Sequence, residues 1–257
     1  MIAGARRRLR GVIHVHSTHS YDGQQSIEEL ARFFRARAMD FVCVTEHSDG
    51  LDAAAMQRVA TETARVSDDE FLVVPGIEFS CRRRLHLLGL GVTTPIDSDD
   101  PVTVARRIRD QGGVVIVAHP LAYGTDYPED MAEHVDGVEI WNITKDGWLS
   151  PGAAPMALWR RWRRRNPVLR GLGALDLHSF ASPSGLWLEL ADTELRTEAV
   201  LDTLRGGRLD ICNRFLRVGG GAPPGGLSFA VYALASRLYT TLRSARDRLL
   251  PDRRARG

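Results

Sequence analysis

The feature that most constrains the fold of this chain is the alternation of short apolar runs with longer segments of helical periodicity. Several runs are rich in valine, isoleucine and leucine, a composition typical of strands buried in a parallel sheet. Strands are predicted at Gly11–His16, Phe41–Glu46, Phe71–Phe79, Leu85–Gly91, Val114–His119, Gly137–Asn142, Leu169–Leu177 and Leu186–Glu189. The repeated strand–helix–strand order predicts a parallel sheet with crossover helices, either a barrel or an open α/β sheet.

The segments between these runs have the signals of helix ends. Ser26 and Glu29 form a capping-box pattern, in which each side chain bonds to a free backbone amide. Helices are predicted at Ser26–Ala38, 52–66, 101–111, 128–134, 155–165 and 194–205. The glycine- and proline-rich stretch Gly219–Gly226 predicts a linker between a domain over residues 1–218 and a C-terminal segment, 227–257.

Within the C-terminal segment, residues Ser228–Leu250 are predicted to form an amphipathic helix that is followed by a basic tail. We expect this helix to dock on the domain or on a partner subunit. Adsorption to a membrane surface is the alternative. The sequence carries no signal for a particular oligomeric state.

Composition excludes several classes of protein. The 257-residue chain has a net charge of +2, which does not indicate a nucleic-acid binder. Its cysteines, Cys43, Cys81 and Cys212, lie far apart, which argues against a disulfide framework or a thiolate zinc site. The N-terminus lacks the apolar stretch of a signal peptide, and no segment approaches the roughly 20 apolar residues that span a bilayer. A cytoplasmic protein without a transmembrane segment is therefore expected.

Histidines are concentrated near the first strand, where the segment HVHSTHSYDG, residues 14–23, holds three of the eight in the chain. Residues two apart in a strand point the same way, so His14 and His16 are expected to project together. Further histidines and carboxylates stand at the ends of other predicted strands: His47, Glu78, His86, His119, Asp176 and His178. The carboxyl ends of the strands in a parallel barrel converge on one face. Imidazoles and carboxylates without thiolates suit zinc, manganese or iron.

Six short motifs, taken in order, make the chain resemble the PHP superfamily (polymerase and histidinol phosphatase domain), whose members are typically metal-dependent phosphoesterases. The motifs are HVHSTHSYDG, TEHSD, GIEFS, HLLGLG, VAHP and DLH, and the resemblance covers roughly residues 11–190. It implies an α/β fold of the distorted (β/α)7 barrel type, with two or three divalent ions (Mn, Fe or Zn) at its mouth. The chain departs from the family at Glu46, where many members have aspartate.

The resemblance also implies the metal ligands. One ion would be held by His14, His16, Glu78 and Asp176, a second by Glu78, His86 and His119, and a third by Asp22, His47 and His178. Asp22 is favoured over His19 as a ligand of the third ion, and His19 is expected either to support a ligand or to contact the substrate. Asp176 and His178 are the candidate catalytic residues, since a group at the edge of the cluster must protonate the leaving group. Glu46 is expected to orient His47.

Two clusters of arginine each allow two interpretations. Arg82, Arg83 and Arg84 precede the motif HLLGLG and match the geometry of a substrate phosphate, but they equally suit a solvated basic loop. The segment LWRRWRRRNP, residues 158–167, holds five arginines and two tryptophans. That combination suits nucleic-acid binding by phosphate contact and stacking, and it equally suits the last turns of a helix.

The resulting prediction is a phosphoric ester hydrolase that cleaves a small phosphomonoester or a nucleotide with metal-activated water. Asn142 and Lys145 are expected to line its pocket, while Glu139 and Trp141 are assigned to the barrel wall. One alternative is a nuclease that acts on RNA or DNA ends, which the arginine-rich segment favours and the net charge does not. The other alternative is a catalytically inactive metal-binding module with a regulatory role.

Overall fold

The computed structural model describes residues 6–120, 122 and 127–249 and shows a mixed α/β fold. The strands are β1 (Arg7–Val15), β2 (Phe41–Val44), β3 (Glu46–His47), β4 (Leu72–Val74), β5 (Gly76–Cys81), β6 (Leu85–Leu90), β7 (Val114–Val117), β8 (Gly137–Asn142), β9 (Arg170–Ala174), β10 (Trp187–Thr193), β11 (Leu209–Cys212) and β12 (Arg217–Gly219). The α-helices are α1 (Ile27–Arg35), α2 (Ala53–Val66), α3 (Pro101–Asp110), α4 (Ile143–Asp146), α5 (Ala153–Trp162), α6 (Thr197–Gly206) and α7 (Gly226–Leu249), and 3-10 helices span Arg82–Arg84 and Glu129–Glu133. One six-stranded sheet has the order β12-β11-β10-β1-β2-β4, and the other has the order β3-β5-β6-β7-β8-β9.

Two of the predicted strands are each divided between the two sheets. The run Phe41–Glu46 forms β2 in the first sheet and begins β3 in the second, and the run Phe71–Phe79 forms β4 and β5 in the same way. Pro75 separates β4 from β5, and a proline cannot donate the backbone hydrogen bond that a continuous ladder needs. The apolar pattern hides these breaks, because the residues on both sides of them are largely buried.

The sheets are mixed, which corrects the expectation of a purely parallel sheet. Strand β1 pairs in parallel with β2 and antiparallel with β10. Strands β5, β6 and β7 are antiparallel neighbours, whereas β7, β8 and β9 are parallel. Because β6 is antiparallel, its second residue His86 lies opposite Ser80 near the end of β5. A residue at the start of one strand therefore reaches the same edge as residues at the ends of others.

Backbone hydrogen bonds join the sheets where β1 ends. His16 N donates to Leu177 O at 2.9 Å, and Leu177 N donates to His14 O at 3.2 Å. Thr45 N, between β2 and β3, donates to Val15 O at 2.8 Å. These bonds place the end of β1 beside both the β2–β3 junction and the segment that follows β9. A closed (β/α)7 barrel stays a prediction.

Local sequence signals explain the helices well. At α1, Glu29 N donates to Ser26 Oγ at 3.2 Å and Ser26 N donates to Glu29 Oε2 at 2.8 Å, so the predicted capping box is confirmed. Ile27, Leu30 and Phe34 lie on one buried face of this helix.

The segment predicted as a helix over 128–134 is a 3-10 helix instead. The three cysteines are buried and free.

Helix α5 and the turn after it contain the arginine- and tryptophan-rich segment. Trp159 and Trp162 are fully buried, so neither of them can stack on a nucleic-acid base. Arg161 Nε lies 2.6 Å from a carboxylate oxygen of Glu129, and Arg163 donates to Leu169 O at 2.9 Å. The two tryptophans belong to the hydrophobic core, which confirms the structural interpretation of this part of the segment.

Helix α7 corresponds to the predicted amphipathic helix; residues 250–257 lie outside the described residues. Phe229 and Tyr232 pack against the core, so the expected docking is confirmed. The other side of α7 carries Leu234, Leu238 and Leu242, which are 55–70% exposed. None of the helices that the structure describes is long and apolar enough to cross a membrane.

Candidate metal centre

The centre is built at the end of β1, where the histidine-rich segment leaves the sheet. His14 and His16 are fully buried, and the Nε2 atom of each lies 3.4 Å from Glu78 Oε2. The loop then turns back on itself, and a Cβ atom at Gly23 would lie only 1.9 Å from the carbonyl oxygen of Ser17. Glycine is therefore required at the last position of the motif, and it sets the path of the loop.

Glu78 lies at the middle of the cluster. Its side chain, on β5, is only 1% exposed. While Oε2 faces His14 and His16, Oε1 lies 2.8 Å from His86 Nδ1 and 3.0 Å from His119 Nε2. Oε2 also lies 3.1 Å from His47 Nδ1. The two oxygens of this carboxylate thus face two different groups of histidines, an arrangement that suits a carboxylate shared by two ions.

Asp176 belongs to the same group as the first two histidines. Its Oδ1 atom lies 3.4 Å from His14 Nε2 and 3.8 Å from His16 Nε2. The other oxygen, Oδ2, lies 2.8 Å from the Lys145 ammonium group. The structure therefore brings together the four residues that were expected to share one ion.

The residues expected to share a third ion lie side by side at the rim of the cluster. Asp22 Oδ1 lies 3.3 Å from His47 Nε2, and Asp22 Oδ2 lies 3.2 Å from His178 Nε2. The ring of His16 is stacked on both His47 and His178, with centroid distances of 4.3 and 4.2 Å. His16 is thus positioned between the first and third groups.

A second buried carboxylate, Glu139 on β8, contacts two histidines of the cluster. Its Oε1 atom lies 2.6 Å from His14 Nδ1, and its Oε2 accepts hydrogen bonds from His119 N at 2.7 Å and from Asn142 Nδ2 at 2.9 Å. The contact at Nδ1 orients the ring of His14 and leaves Nε2 directed at the cluster. This role of Glu139 was not predicted from the sequence, which assigned the residue to the barrel wall. The available signal was a single acidic residue in the apolar run GVEIW, since a buried carboxylate needs partners.

Glu46 acts on the histidine-rich loop. It accepts hydrogen bonds from the hydroxyl groups of Ser17 and Ser20 at 2.6 and 2.5 Å. The Ser20 oxygen in turn accepts from His47 N at 3.0 Å and lies 3.3 Å from His16 Nδ1. The expected link from Glu46 to His47 therefore runs through Ser20 and reaches the backbone of His47. The roles of Ser17 and Ser20 were not predicted from the sequence.

Burial and charge both shift pKa values in the cluster. Burial disfavours the charged form of His14, but the carboxylates of Glu139 and Glu78 outweigh it and hold the pKa of His14 well above its ordinary value. Burial dominates at His16 and holds its pKa well below the ordinary value. Burial would raise the pKa of Glu78, but His14 and His119 outweigh it and hold that pKa well below its usual range. The central carboxylate is therefore ionised, and positive charge is stabilised beside it.

The donor set fits divalent metal ions. Among the residues that the structure describes, no hydrogen bond reaches His14 Nε2, His16 Nε2 or Glu78 Oε2, although all three atoms are buried. Most buried polar atoms have a hydrogen-bond partner, so three such atoms facing one point indicate a cation site. Two ligands about 2.1 Å from one ion at a tetrahedral angle stand about 3.4 Å apart. This is the spacing of each histidine nitrogen from Glu78 Oε2.

The possible ligands form overlapping groups whose ligand atoms lie within 4.8 Å of one another. These groups are His14, His16 and Glu78; His14, His119 and Asp176; Glu78, His86 and His119; and His16, His47 and His178. The sharing of residues between groups is what a cluster of neighbouring ions requires, because a ligand near two ions fixes their separation.

Three residues of the cluster have left-handed backbone conformations. The φ angles are 62° at His14, 25° at His119 and 53° at Asp176. Non-glycine residues are uncommon in this region, and a strained conformation of this kind costs on the order of 1–3 kcal/mol. The strain falls on three residues whose side chains meet, and strain of this kind concentrates at functional sites.

The predicted substrate-binding arginines lie in the connection between β5 and β6. Arg82 forms an ion pair of 2.5 Å with Asp100, the residue that caps α3. Arg83 and Arg84 are exposed. Contact between these arginines and a substrate stays a prediction.

The other two predicted substrate contacts are already bonded within the protein. His19 Nε2 lies 3.1 Å from a carboxylate oxygen of Glu62 on α2. Asn142 is buried, and its side chain accepts from the amides of Thr144 and Lys145 at the start of α4. In the structure, Asn142 acts as a helix cap as well as a partner of Glu139, and its contact with substrate stays a prediction.

The mixed α/β fold and the buried cluster of histidines and carboxylates support a metal-dependent hydrolase. Residues 13–109 match the model of the PHP domain, which confirms the resemblance to the PHP superfamily. No curated protein matches the sequence of the chain.

Two solved structures are similar to this one. PsfC from Pseudomonas syringae is 14% identical and has a TM-score of 0.58, and the likeness covers 91% of this chain and 98% of PsfC. A protein from Bifidobacterium adolescentis, described as a "putative metal-dependent phosphoesterase", is 14% identical with a TM-score of 0.51, over 68% of this chain and 90% of its own. At such low identity the likeness concerns the fold.

Proposed function

We propose that this protein is a phosphoesterase that hydrolyses the phosphate ester of a small molecule or a nucleotide with metal-activated water. The observation that carries the proposal is the convergence of buried ligand atoms on Glu78, three of them without a hydrogen bond among the described residues. The proposed ligands are His14, His16, Glu78 and Asp176 for one ion, Glu78, His86 and His119 for a second, and Asp22, His47 and His178 for a third. The match of residues 13–109 to the PHP domain model supports the six of these ligands that lie within it.

Divalent ions at these positions would lower the pKa of bound water to near neutrality and would stabilise charge on the phosphoryl oxygens. The residues of the chain would hold that arrangement in place. Glu78 sets the separation of two groups of ligands, and Glu139 orients His14 and the backbone of His119. Lys145, 2.8 Å from Asp176 Oδ2, adds a positive charge where a phosphate oxygen would need one.

Of the two candidate proton donors, His178 is the better placed. Its side chain is 26% exposed at the rim of the cluster, whereas the side chain of Asp176 is 3% exposed and contacts Lys145. A leaving group must depart towards solvent, so the residue that protonates it is best placed at the rim. In a protein that holds two ions, where His178 is not required as a ligand of the third, we assign this role to His178 and a ligand role to Asp176.

We also infer that the strands close into the seven-stranded barrel implied by the resemblance. The order around the barrel would be β1, β2–β3, β4–β5, β6, β7, β8 and β9. Support comes from the two strand pairs that continue from one sheet into the other and from the hydrogen bonds of Leu177 with His14 and His16. Such a barrel would gather the ligands at one mouth.

A nucleic-acid substrate has less support than a small one. Trp159 and Trp162 are buried, and two of the arginines between and after them, Arg161 and Arg163, contact Glu129 and Leu169 O. The surface that would grip a nucleic acid is therefore largely used to hold the fold together.

Hydrolysis of p-nitrophenyl phosphate in the presence of added manganese tests the proposal. A screen of mononucleotides, small phosphomonoesters and short oligonucleotides then narrows the substrate. We expect metal-dependent turnover of phosphomonoesters. A protein that binds its metals but hydrolyses nothing in this screen would instead be a metal-binding module.

A further inference from the structure

A pocket of about 330 Å³ opens beside the metal-ligand cluster. His119 and Pro120 form the wall next to the cluster, Lys145 of α4 forms a second wall, and Arg243 of α7 forms a third. Pockets for small ligands typically have volumes of about 300–1,000 Å³. The space therefore suits the part of a small substrate that is not the reacting phosphate.

Helix α7 is fixed at this pocket by close packing. Gly147, directly after α4, has a φ angle of 83°, and a Cβ atom there would lie 2.2 Å from Cζ of Tyr239 on α7. Ser236 Oγ, also on α7, accepts from Ala153 N at the start of α5 at 3.1 Å. Because glycine at position 147 allows this close approach, α7 packs against both α4 and α5. Arg243 lies one helical turn after Tyr239.

The guanidinium group of Arg243 is anchored at the pocket wall. Its Nη1 atom donates to the carbonyl oxygens of Thr144 and Lys145 at 3.3 and 3.2 Å. Guanidinium has five N–H donors in a rigid plane and matches carboxylate and phosphate groups in a two-pronged manner. The anchoring thus reduces the conformational freedom that Arg243 would lose on binding an anion.

The charges around the pocket favour an anion. Lys145 reaches the cluster at Asp176, while Arg243 lies on the backbone of α4, so the two cations line the same pocket at different places. Among the described residues that line the pocket, Asp146 is the acidic one; its carboxylate accepts from Asn142 N at 2.8 Å. Burial raises the pKa of Asp146 to about 7, which weakens its negative charge at neutral pH.

We propose that this pocket binds a second anionic group of the substrate, a carboxylate or a second phosphate, through Arg243, with Lys145 nearer the reacting phosphate. The inference rests on the proposed phosphoesterase function and narrows its substrates to small phosphate esters that carry two anionic groups. Arg243 is then a residue that determines specificity, supplied by a helix beyond the segment 13–109 that matches the PHP domain.

The kinetic test compares 3-phosphoglycerate, which has a second anion, with glycerol 3-phosphate, which has a hydroxyl in its place. We expect the wild-type protein to prefer 3-phosphoglycerate in kcat/KM. A hydrogen bond to a charged group contributes about 1.5–3 kcal/mol, so Arg243→Gln should reduce this preference by about tenfold or more. Arg243→Lys, which keeps the charge, should retain part of it. Arg237→Gln, an exposed position on the same helix, serves as the matched control and should behave like the wild type.

A binding measurement separates this inference from the proposed function. Calorimetric titration of the metal-loaded protein should show tighter binding of 3-phosphonopropionate than of propylphosphonate, and Arg243→Gln should remove the difference. These phosphonates cannot be hydrolysed, so the result stands even if the protein turns over no phosphate ester. Equal affinity of the wild type for both phosphonates would overturn the inference. So would equal losses for both ligands in Arg243→Gln and Arg243→Lys, which would indicate that the variants only loosen α7.

Discussion

The histidine-rich segment after β1 and the arginine-rich segment of α5 both suggest function in the sequence, but the fold uses them differently. In the first, the Nε2 atoms of His14 and His16 are buried and directed at Glu78 without a hydrogen bond among the described residues. In the second, Trp159 is part of the core and Arg163 donates to the carbonyl oxygens of Leu169 and Gly221. Trp159 and Arg163 thus find their partners within the protein.

The comparison shows that the types of residue in a cluster do not by themselves define a site. What distinguishes the two regions is whether buried polar atoms without a hydrogen bond converge on one point, since Trp162 Nε1 also has no such bond among the described residues. Atoms that are buried, unpartnered and directed at one point can bind a ligand at little cost, because the protein has already removed them from water. The arginine-rich segment lacks such a set of atoms among the described residues, and its buried tryptophans cannot stack on a base.

Removal of metal should have the largest effect of any change. We expect purified protein to contain about two or three equivalents of Mn, Fe or Zn by elemental analysis, and chelation to reduce phosphoesterase turnover to background. Chelation should also lower the melting temperature, because a ligand that binds only the folded state stabilises it. Both properties should return when manganese is added. A metal content below about one equivalent after metal addition would mean that the histidine-rich segment forms no metal site. The proposed difference between it and the arginine-rich segment would then be wrong.

The second-largest effect should come from substitution of the central carboxylate, Glu78. Glu78→Gln keeps the size of the side chain but loses the charge that faces five histidines, so at least one metal should be lost. Turnover should fall by roughly 100-fold or more, since two-metal catalysis needs both ions in place, while circular dichroism stays native. The matched control is Glu129→Gln, which weakens the exposed contact with Arg161 and should leave turnover unchanged. Full metal content and normal turnover in Glu78→Gln would show that this carboxylate does not bridge two ions.

A smaller effect is expected at Glu139, which contacts His14 without facing the proposed ions. Carboxylates that orient a metal-binding histidine typically affect metal affinity or activity by about 10–100-fold, so Glu139→Gln should lower manganese affinity within that range. The control is Glu189→Gln, which removes hydrogen bonds to Arg8 and Arg217 outside the cluster and should change stability alone. If the two variants bind manganese equally well, Glu139 has only a structural role.

The contrast between Glu78 and Glu139 also shows what the sequence could reveal. Glu78 belongs to a short motif, GIEFS, and stands near the end of an apolar run, so local pattern and family resemblance both identify it. The partner of Glu139 is His14, 125 positions away, and the pairing exists only because β8 and β1 meet in the fold. Long-range contacts of this kind leave no local pattern beyond one acidic residue in an apolar strand.

The fold was predictable to a similar degree. The apolar runs located most strands that carry the cluster, because burial depends on local composition. The division at Pro75 between two sheets and the left-handed backbone at His14 and Asp176 were not predictable, because these conformations are enforced by the surrounding structure. The same holds for Arg243, whose position at the pocket depends on how α7 packs at Gly147.

The smallest effect should come from the arginine-rich segment itself. The variant Arg161→Gln, Arg164→Gln, Arg165→Gln spares Arg163, which bonds to two carbonyl groups. Because exposed ion pairs contribute about 0–1 kcal/mol each, the free energy of unfolding should fall only slightly, and hydrolysis of a small phosphate ester should stay near that of the wild type.

Oligonucleotide binding by the same variant tests whether the arginine-rich segment binds nucleic acid. Each arginine that neutralises a phosphate contributes close to one unit to the slope of log affinity against log salt. If these arginines serve the fold, wild type and variant should show the same weak binding and the same slope. A variant that loses affinity for oligonucleotides and flattens the slope, while it still hydrolyses a small ester, would mean that the segment binds nucleic acid. The nuclease function would then have to be preferred, with the arginines guiding a strand towards the cluster around Glu78.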